Sequence, residues 1–281
     1  MLILVLKKER TVKVENKVFL VTGGASGIGR ALALELLSRG ASVAAVDISP
    51  DGLDDTWDMA CSYQPRLSKH IVDITDREAV ETLPNKVILN HGAIDGVINN
   101  AGIIQPFVRV NDLDYDTIAR VMDVNFNGTV NITKTFLPYL LDRPQGHIVS
   151  ISSMGAYAPV PGQTVYGAAK AAVKLFTEGL NSELMDTNVK VTVVFQGATE
   201  TNIAQNSGIT LLPVSGADGN GQSFATMTPD EAAEQIVDGI EKDRYQLYVG
   251  KDAAFMNFLY RLSPQRAAKT IFNQMRSLLE P

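Results

Sequence analysis

KVFLVTGGASGIGRALALELLSRGASVAAVD, residues 17–47, decides the architecture. It opens with Val18 to Val21, a short apolar run rich in β-branched residues, as buried parallel strands are. A glycine-rich turn follows, Gly23-x-x-x-Gly27-x-Gly29, then a helical pattern over about 28–39 and a second apolar run, Ser42 to Val46. Strand, turn, helix and strand in this order predict a right-handed βαβ crossover. Glycines at such a turn permit a sharp bend and let the backbone approach a pyrophosphate. The free N–H groups and dipole at the helix N-terminus, around Ser26, Gly27, Ile28 and Gly29, then favour phosphate. The spacing is GxxxGxG rather than GxGxxG, and a glycine-rich turn also occurs with no ligand at all.

Asp47 sharpens the reading. It ends the second strand, 24 residues after Gly23, where a carboxylate can accept hydrogen bonds from adenosine ribose hydroxyls. It also repels the 2′-phosphate of NADP. Ile48, Ser49 and Pro50 follow, with no adjacent cation, so the expected cofactor is NAD. The bland alternative is a solvated turn aspartate.

Outward from this unit, short apolar runs keep alternating with helical patterns. Further strands are expected at Lys69 to Val72, Ile94 to Ile98, His147 to Ile151, Val189 to Phe195 and Gln246 to Val249. Helices are expected at about 51–62, 76–90, 112–141, 164–186 and 228–242. Thr228-Pro229-Asp230-Glu231 supplies the last of these with an N-cap, a first-turn proline and a capping-box glutamate. The implied fold class is α/β, a doubly wound parallel sheet of about seven strands with helices on both faces. One domain is expected over 16–251, with a long loop at 202–227 of the kind that is usually functional. Residues 1–15 read as an N-terminal extension or edge strand, and 252–281 as a helical tail broken at Ser263-Pro264.

Composition narrows the function class. The 281 residues, 45% hydrophobic and 20% charged, suit a globular chain with a sizeable core. A net charge of −6 argues against nucleic acid or an anionic membrane as the main partner. The single cysteine, Cys61, excludes an internal disulfide and fits a reducing, cytoplasmic setting. Leu2 to Leu6 is too short to span a bilayer, and the basic cluster Lys7-Lys8-Glu9-Arg10 follows it, the reverse of a secretory signal. His70, His91 and His147 are scattered, without metal-ligand spacing.

The chemistry lies in Tyr166-Gly-Ala-Ala-Lys170. Tyrosine, with an ordinary pKa of about 10, is a poor proton carrier at neutral pH. A lysine four residues on lies one helical turn away on the same face, and its ammonium favours the phenolate. With the glycine turn upstream, the pair points to hydride transfer.

At this point the chain resembles the short-chain dehydrogenase/reductase family, in its compact single-domain branch. Thr22-Gly23-x-x-x-Gly27-x-Gly29 matches its cofactor turn, and Asp73-Ile74 the pair bordering the adenine ring. Asn99-Asn100-Ala101-Gly102 matches its NNAG motif, Asn125 the helix asparagine, and Ser153, Tyr166 and Lys170 the catalytic set. The resemblance implies Tyr166 as general acid/base between alcohol and ketone, with Ser153 on the substrate oxygen. It implies that Lys170 lowers the Tyr166 pKa and binds the nicotinamide ribose, while Asn125 anchors a water that links Lys170 to solvent. Gly197, Thr199 and Thr201 would hold the nicotinamide carboxamide, but Gln196 stands where the family has proline, leaving that wall's geometry open.

The expected activity is NAD-dependent oxidation of a secondary alcohol or reduction of its ketone. Met154, Tyr157, Ala158, Pro159 and Val160, with Ile203, Ile209, Leu211, Leu212, Pro213 and Val214 in the loop, predict a largely apolar substrate. A homodimer or homotetramer is expected, with contacts on the helices at 112–141 and 164–186. The competing readings are a non-catalytic NAD-binding scaffold and a sugar-nucleotide epimerase; the short C-terminal region weighs against the second.

Overall fold

The computed structural model describes residues 13–199, 203–209 and 227–279, and each strand expected from the sequence forms within them. The strands are β1 (Val18–Thr22), β2 (Ser42–Asp47), β3 (Leu67–Ile71), β4 (Gly96–Asn99), β5 (Gly146–Ser153), β6 (Val189–Gln196) and β7 (Gln246–Val249). All pair in parallel, in the spatial order β3-β2-β1-β4-β5-β6-β7. The order reverses between β1 and β4, and such switch points open the crevice that binds ligands in doubly wound sheets. β1 and β5 are buried at every residue, so both sheet faces must be covered.

Helices α1 (Gly27–Ser38), α2 (Pro50–Met59), α3 (Arg77–His91), α4 (Tyr115–Met122), α5 (Gly128–Leu141) and α6 (Thr164–Glu183) follow the early strands. A short α7 (Ile203–Asn206) precedes α8 (Pro229–Glu241), α9 (Lys251–Leu262) and α10 (Pro264–Met275). Leu32, Leu36 and Leu37 of α1 join Ile236, Val237 and Ile240 of α8 in the core on one side. Leu83 and Val87 of α3, Ile132, Phe136 and Leu140 of α5 and Leu180 of α6 fill the other. The capping box of α8 forms as its sequence predicts, with Thr228 and Glu231 satisfying each other's backbone N–H. Among the described residues, no helix is long and apolar enough to cross a membrane.

The structure corrects three boundaries. The helix expected over 112–141 is not continuous: a 3₁₀ turn at Val110–Asp112 precedes α4, and a π-helical segment, Asp123–Asn127, separates α4 from α5. Asp114 caps α4 by accepting the Thr117 N–H at 2.7 Å, which fixes the start three residues late. β4 begins at Gly96, not Ile94; Asp95 just before it keeps backbone bonds to Val18 O and His147 N–H and adds a buried carboxylate. It accepts Val18 N–H at 2.9 Å and pairs with Arg143 at 2.9 Å. Val14, assigned to the extension, is fully buried and belongs to the domain core; residues 1–12 lie outside the described residues.

Candidate active site

The turn after β1 has no room for side chains at two of its glycines. A Cβ on Gly29 would stand 1.9 Å from the Gly23 carbonyl oxygen, and Gly23 itself has φ +71°, a left-handed conformation that favours glycine. Gly27 shares that conformation, at φ +52°. Ser26, the N-cap of α1, makes no side-chain capping bond, so the first N–H groups of α1 remain available to an anion. Thr22 and Asn100 lock this turn to the end of β4. The Thr22 hydroxyl accepts the N–H groups of Asn100 and Ala101 at 3.0 and 3.1 Å, and the Asn100 amide donates to the Thr22 carbonyl at 3.0 Å.

Asp47 stands at the end of β2, beside that turn. Its carboxylate accepts the Ala25 N–H at 3.1 Å and the Ser49 N–H at 3.1 Å, which aims it at the glycine turn instead of bulk water. Arg30 of α1 is bonded to this turn as well as to α2: it donates to Ala25 O, to Thr56 at 3.0 Å and to Gly52 O at 3.2 Å, and pairs with Asp55 at 3.2 Å. Asp73 accepts both the N–H and hydroxyl of Thr75 at 2.8 Å, while Ile74 is buried and packs where Gly128 leaves space.

The catalytic candidates converge on the loop after β4. A Cβ on Gly102 would lie 2.6 Å from Asn125 Oδ1 and 3.3 Å from Lys170 Nζ, so these two groups flank the same glycine. Asn125 sits within the π-helical segment that sequence periodicity missed, and is fully buried. Its amide donates to Val121 O at 2.8 Å and Ile103 O at 2.9 Å, and its Oδ1 accepts Ile103 N–H at 3.2 Å. One bond occupies the carbonyl on the preceding turn and two hold the Gly102–Ile103 loop. Single-turn π-helical segments inside α-helices occur frequently at functional sites.

Lys170 is buried, and its Nζ donates to Ile151 O at 2.9 Å and lies 5.9 Å from the Tyr166 ring centroid. Burial pushes its ammonium down to about 8. Ser153, at the end of β5, accepts Gly155 N–H at 3.0 Å. The Tyr166 phenol is raised above its ordinary value by burial, and its hydrogen bond with Ser153 opposes that rise. In the chain alone, burial is the larger influence on the phenol, and the lowering that the resemblance assigns to Lys170 would act against it.

Three supporting residues escaped sequence reasoning. Gln105, fully buried, presents its Oε1 to the N–H groups of Val165 and Tyr166 at 2.8 and 3.0 Å, and so caps the helix that carries the tyrosine. A glutamine distant in sequence gives no local capping signal. Asn206 and Ser207, in the described part of the 202–227 loop, donate to Ser26 Oγ at 2.8 Å and accept Ile104 N–H at 3.0 Å. The loop thus ties the cofactor turn to the segment after Gly102.

β6 extends through Gln196, whose side chain donates to the Thr199 hydroxyl. Its register partner in β5 is Ser153, so the residue at the family's proline position adjoins that serine. Gly197 N–H continues the ladder to Val249 O at 2.9 Å. Thr201, expected in the same wall, lies outside the described residues, as do Leu211, Leu212, Pro213 and Val214.

The residues present fit a dinucleotide. Side-chain-free glycines form the cradle, uncapped N–H groups face it, and a fixed carboxylate closes one end, with a proton-transfer set at the other. Comparison with known proteins agrees. The family model described as short chain dehydrogenase matches residues 17–211. A protein of Mycobacterium tuberculosis named as an oxidoreductase, SadH, is 38% identical over 259 residues, which cover 88% of this chain and 91% of that one. A short-chain dehydrogenase from Burkholderia cenocepacia, solved in complex with NADP, superposes with a TM-score of 0.77 at 26% identity, covering 92% of this chain and 99% of that one. One from Burkholderia phymatum, solved with NAD, gives a TM-score of 0.81 at 20% identity, covering 91% and 96%. Both nicotinamide cofactors therefore occur among proteins of this fold.

Proposed function

The chain belongs to the short-chain dehydrogenase family, a family of oxidoreductases that use a nicotinamide cofactor, and on that premise we propose that it interconverts a secondary alcohol and its ketone with NAD, on a largely apolar substrate. The observation that carries the catalytic part is the meeting of Asn125 and Lys170 at Gly102, one helical turn from Tyr166. The nicotinamide supplies the hydride acceptor or donor. Tyr166 takes the hydroxyl proton in oxidation and returns it in reduction. Ser153 hydrogen-bonds the reacting oxygen where charge develops. Lys170, protonated at neutral pH, places positive charge beside the phenol. Gly23, Ser26, Gly27, Ile28 and Gly29 hold the pyrophosphate; Asp73 and Ile74 border the adenine; Asn100, Ala101 and Gly102 line the middle of the cofactor; Gly197, Thr199 and Thr201 face the carboxamide.

The choice of NAD rests on Asp47, whose fixed carboxylate would repel a 2′-phosphate. The apolar substrate rests on the pocket side. Tyr157 spends its hydroxyl on Ala253 O at 2.6 Å and packs its ring edge-on against Phe195 at 5.6 Å, so the segment after Ser153 offers no free phenol to a polar substrate group. Steady-state kinetics with NAD and NADP, on a matched series of secondary alcohols and ketones, tests the whole reading. Specificity constants are expected to be higher with NAD and to rise with added methylenes. Preference for NADP removes the Asp47 argument; rates that rise only with a carboxylate or phosphate remove the apolar substrate. No turnover across the panel favours the scaffold.

Self-association completes the reading. α4 and α6 carry exposed Tyr115 and Leu175, and the tail exposes Phe255, Phe258 and Leu262, a large apolar area for a monomer. Light scattering at micromolar concentration is expected to give a dimer or tetramer mass. A monomer mass refutes it.

A further inference from the structure

We infer that Asp252, in the C-terminal tail, is a positioning residue for the cofactor wall after β6, a task that proline performs at position 196 in the family pattern. The inference rests on the nicotinamide reading above.

Asp252 is the second residue of α9, far outside the residues matched by the family model. Its Oδ2 accepts the Ala198 N–H at 2.7 Å, a short charge-assisted bond. The carboxylate is wedged between two backbone segments that carry no side chain. A Cβ on Gly197 would stand 2.2 Å from Oδ1, and a Cβ on Gly250 would stand 2.4 Å from the same atom. Gly250 also has φ +96°, which only glycine adopts with ease. The carboxylate's seat therefore requires glycine at both positions, and at 250 the backbone requires it as well.

The rest of the turn is pinned from the same side. Ala198 O accepts Met227 N–H at 3.1 Å, and Gly197 N–H donates to Val249 O at 2.9 Å. Gln196 donates to Thr199, and Ala253, next to Asp252, receives the Tyr157 hydroxyl from the segment after Ser153. Proline would restrict this turn through its ring and would lack an N–H. With glutamine at 196 the backbone regains freedom, and the Asp252 carboxylate restrains it through Ala198. An aspartate in the first turn of α9 also suits the positive end of that helix, so the charge is held in place from behind.

ADP-ribose contains the adenine and both phosphates but no nicotinamide, so it separates the two ends of the site. Asp252→Ala is expected to weaken NAD binding about tenfold and lower kcat, while ADP-ribose binds within about twofold of wild type. Asp252→Asn keeps an acceptor oxygen and is expected to restore most of the NAD affinity. Gly197→Ala, which drives a methyl into the carboxylate, is expected to reproduce the loss and to add little when combined with Asp252→Ala. That variant also tests the contact if Asp252→Ala fails to fold. Equal loss of NAD and ADP-ribose affinity, additive effects of the two substitutions, or wild-type NAD binding in both single variants would overturn the role of Asp252. A wild-type protein that binds ADP-ribose but neither NAD nor NADP would instead overturn the nicotinamide reading itself.

Discussion

Tyr166→Phe is expected to cut turnover by about 10²–10⁴-fold or more while NAD binds nearly as before. The phenol is the one group in the set able to give or take a proton at the substrate oxygen; Ser153 can only hydrogen-bond it. The substitution leaves the helix in place, because Gln105 holds α6 through the backbone N–H groups of Val165 and Tyr166, not through the side chain. The ring stays in place, so packing is unchanged. The substitution removes one hydroxyl of a partly exposed residue beside Ser153, so stability should change little. Single-turnover kinetics separates the chemical step from binding. Substantial residual activity in pure protein would show that another group moves the proton.

The raised pKa of Tyr166 bears on how the phenol ionises. Lys170 is held by Ile151 O, and the phenol stays protonated at neutral pH. Ionisation therefore needs further positive charge beside the ring, and binding and proton transfer become linked.

Much of this was legible in the chain. The β1-turn-α1-β2 unit could be read because each part carries its own local signal: β-branched apolar runs, left-handed glycines and an acid at a strand end. Asn125 was found by motif, yet its setting was not, since one added residue in a helix shifts the periodicity too little to register across 112–141. Gln105 and Asp252 were invisible for another reason. Each acts on a backbone N–H that lies 60 and 54 residues away in sequence, and nothing in local composition marks the acceptor of a long-range bond. The same limit explains Asp95, which looks like a strand residue until its two partners are known.

Gly29→Ala is expected to abolish measurable cofactor binding, with an affinity loss of at least about 100-fold, because the added methyl strikes backbone on one side and the β4 clasp on the other. A Cβ there would lie 1.9 Å from the Gly23 oxygen, 2.6 Å from its carbonyl carbon and 2.5 Å from Asn100 Nδ2. Neither neighbour can yield without further loss. Gly23 sits in a left-handed conformation set by the turn, and Asn100 Nδ2 is bonded to Thr22 O at 3.0 Å. Opening the turn would move the first N–H groups of α1 away from the anion they face and part β1 from β4 at the switch point. Overpacking of this kind costs about 1–3 kcal/mol, which lowers the melting temperature by several degrees in a domain of this size. Gly179→Ala supplies the control: it lies in α6 with nothing within 4 Å of the new Cβ, so it should raise stability slightly and leave binding alone. Calorimetric titration with NAD, alongside thermal melting, reads both effects. If Gly29→Ala binds within about threefold of wild type, the turn is not the phosphate cradle, and the helix N-terminus must bind the cofactor by another route.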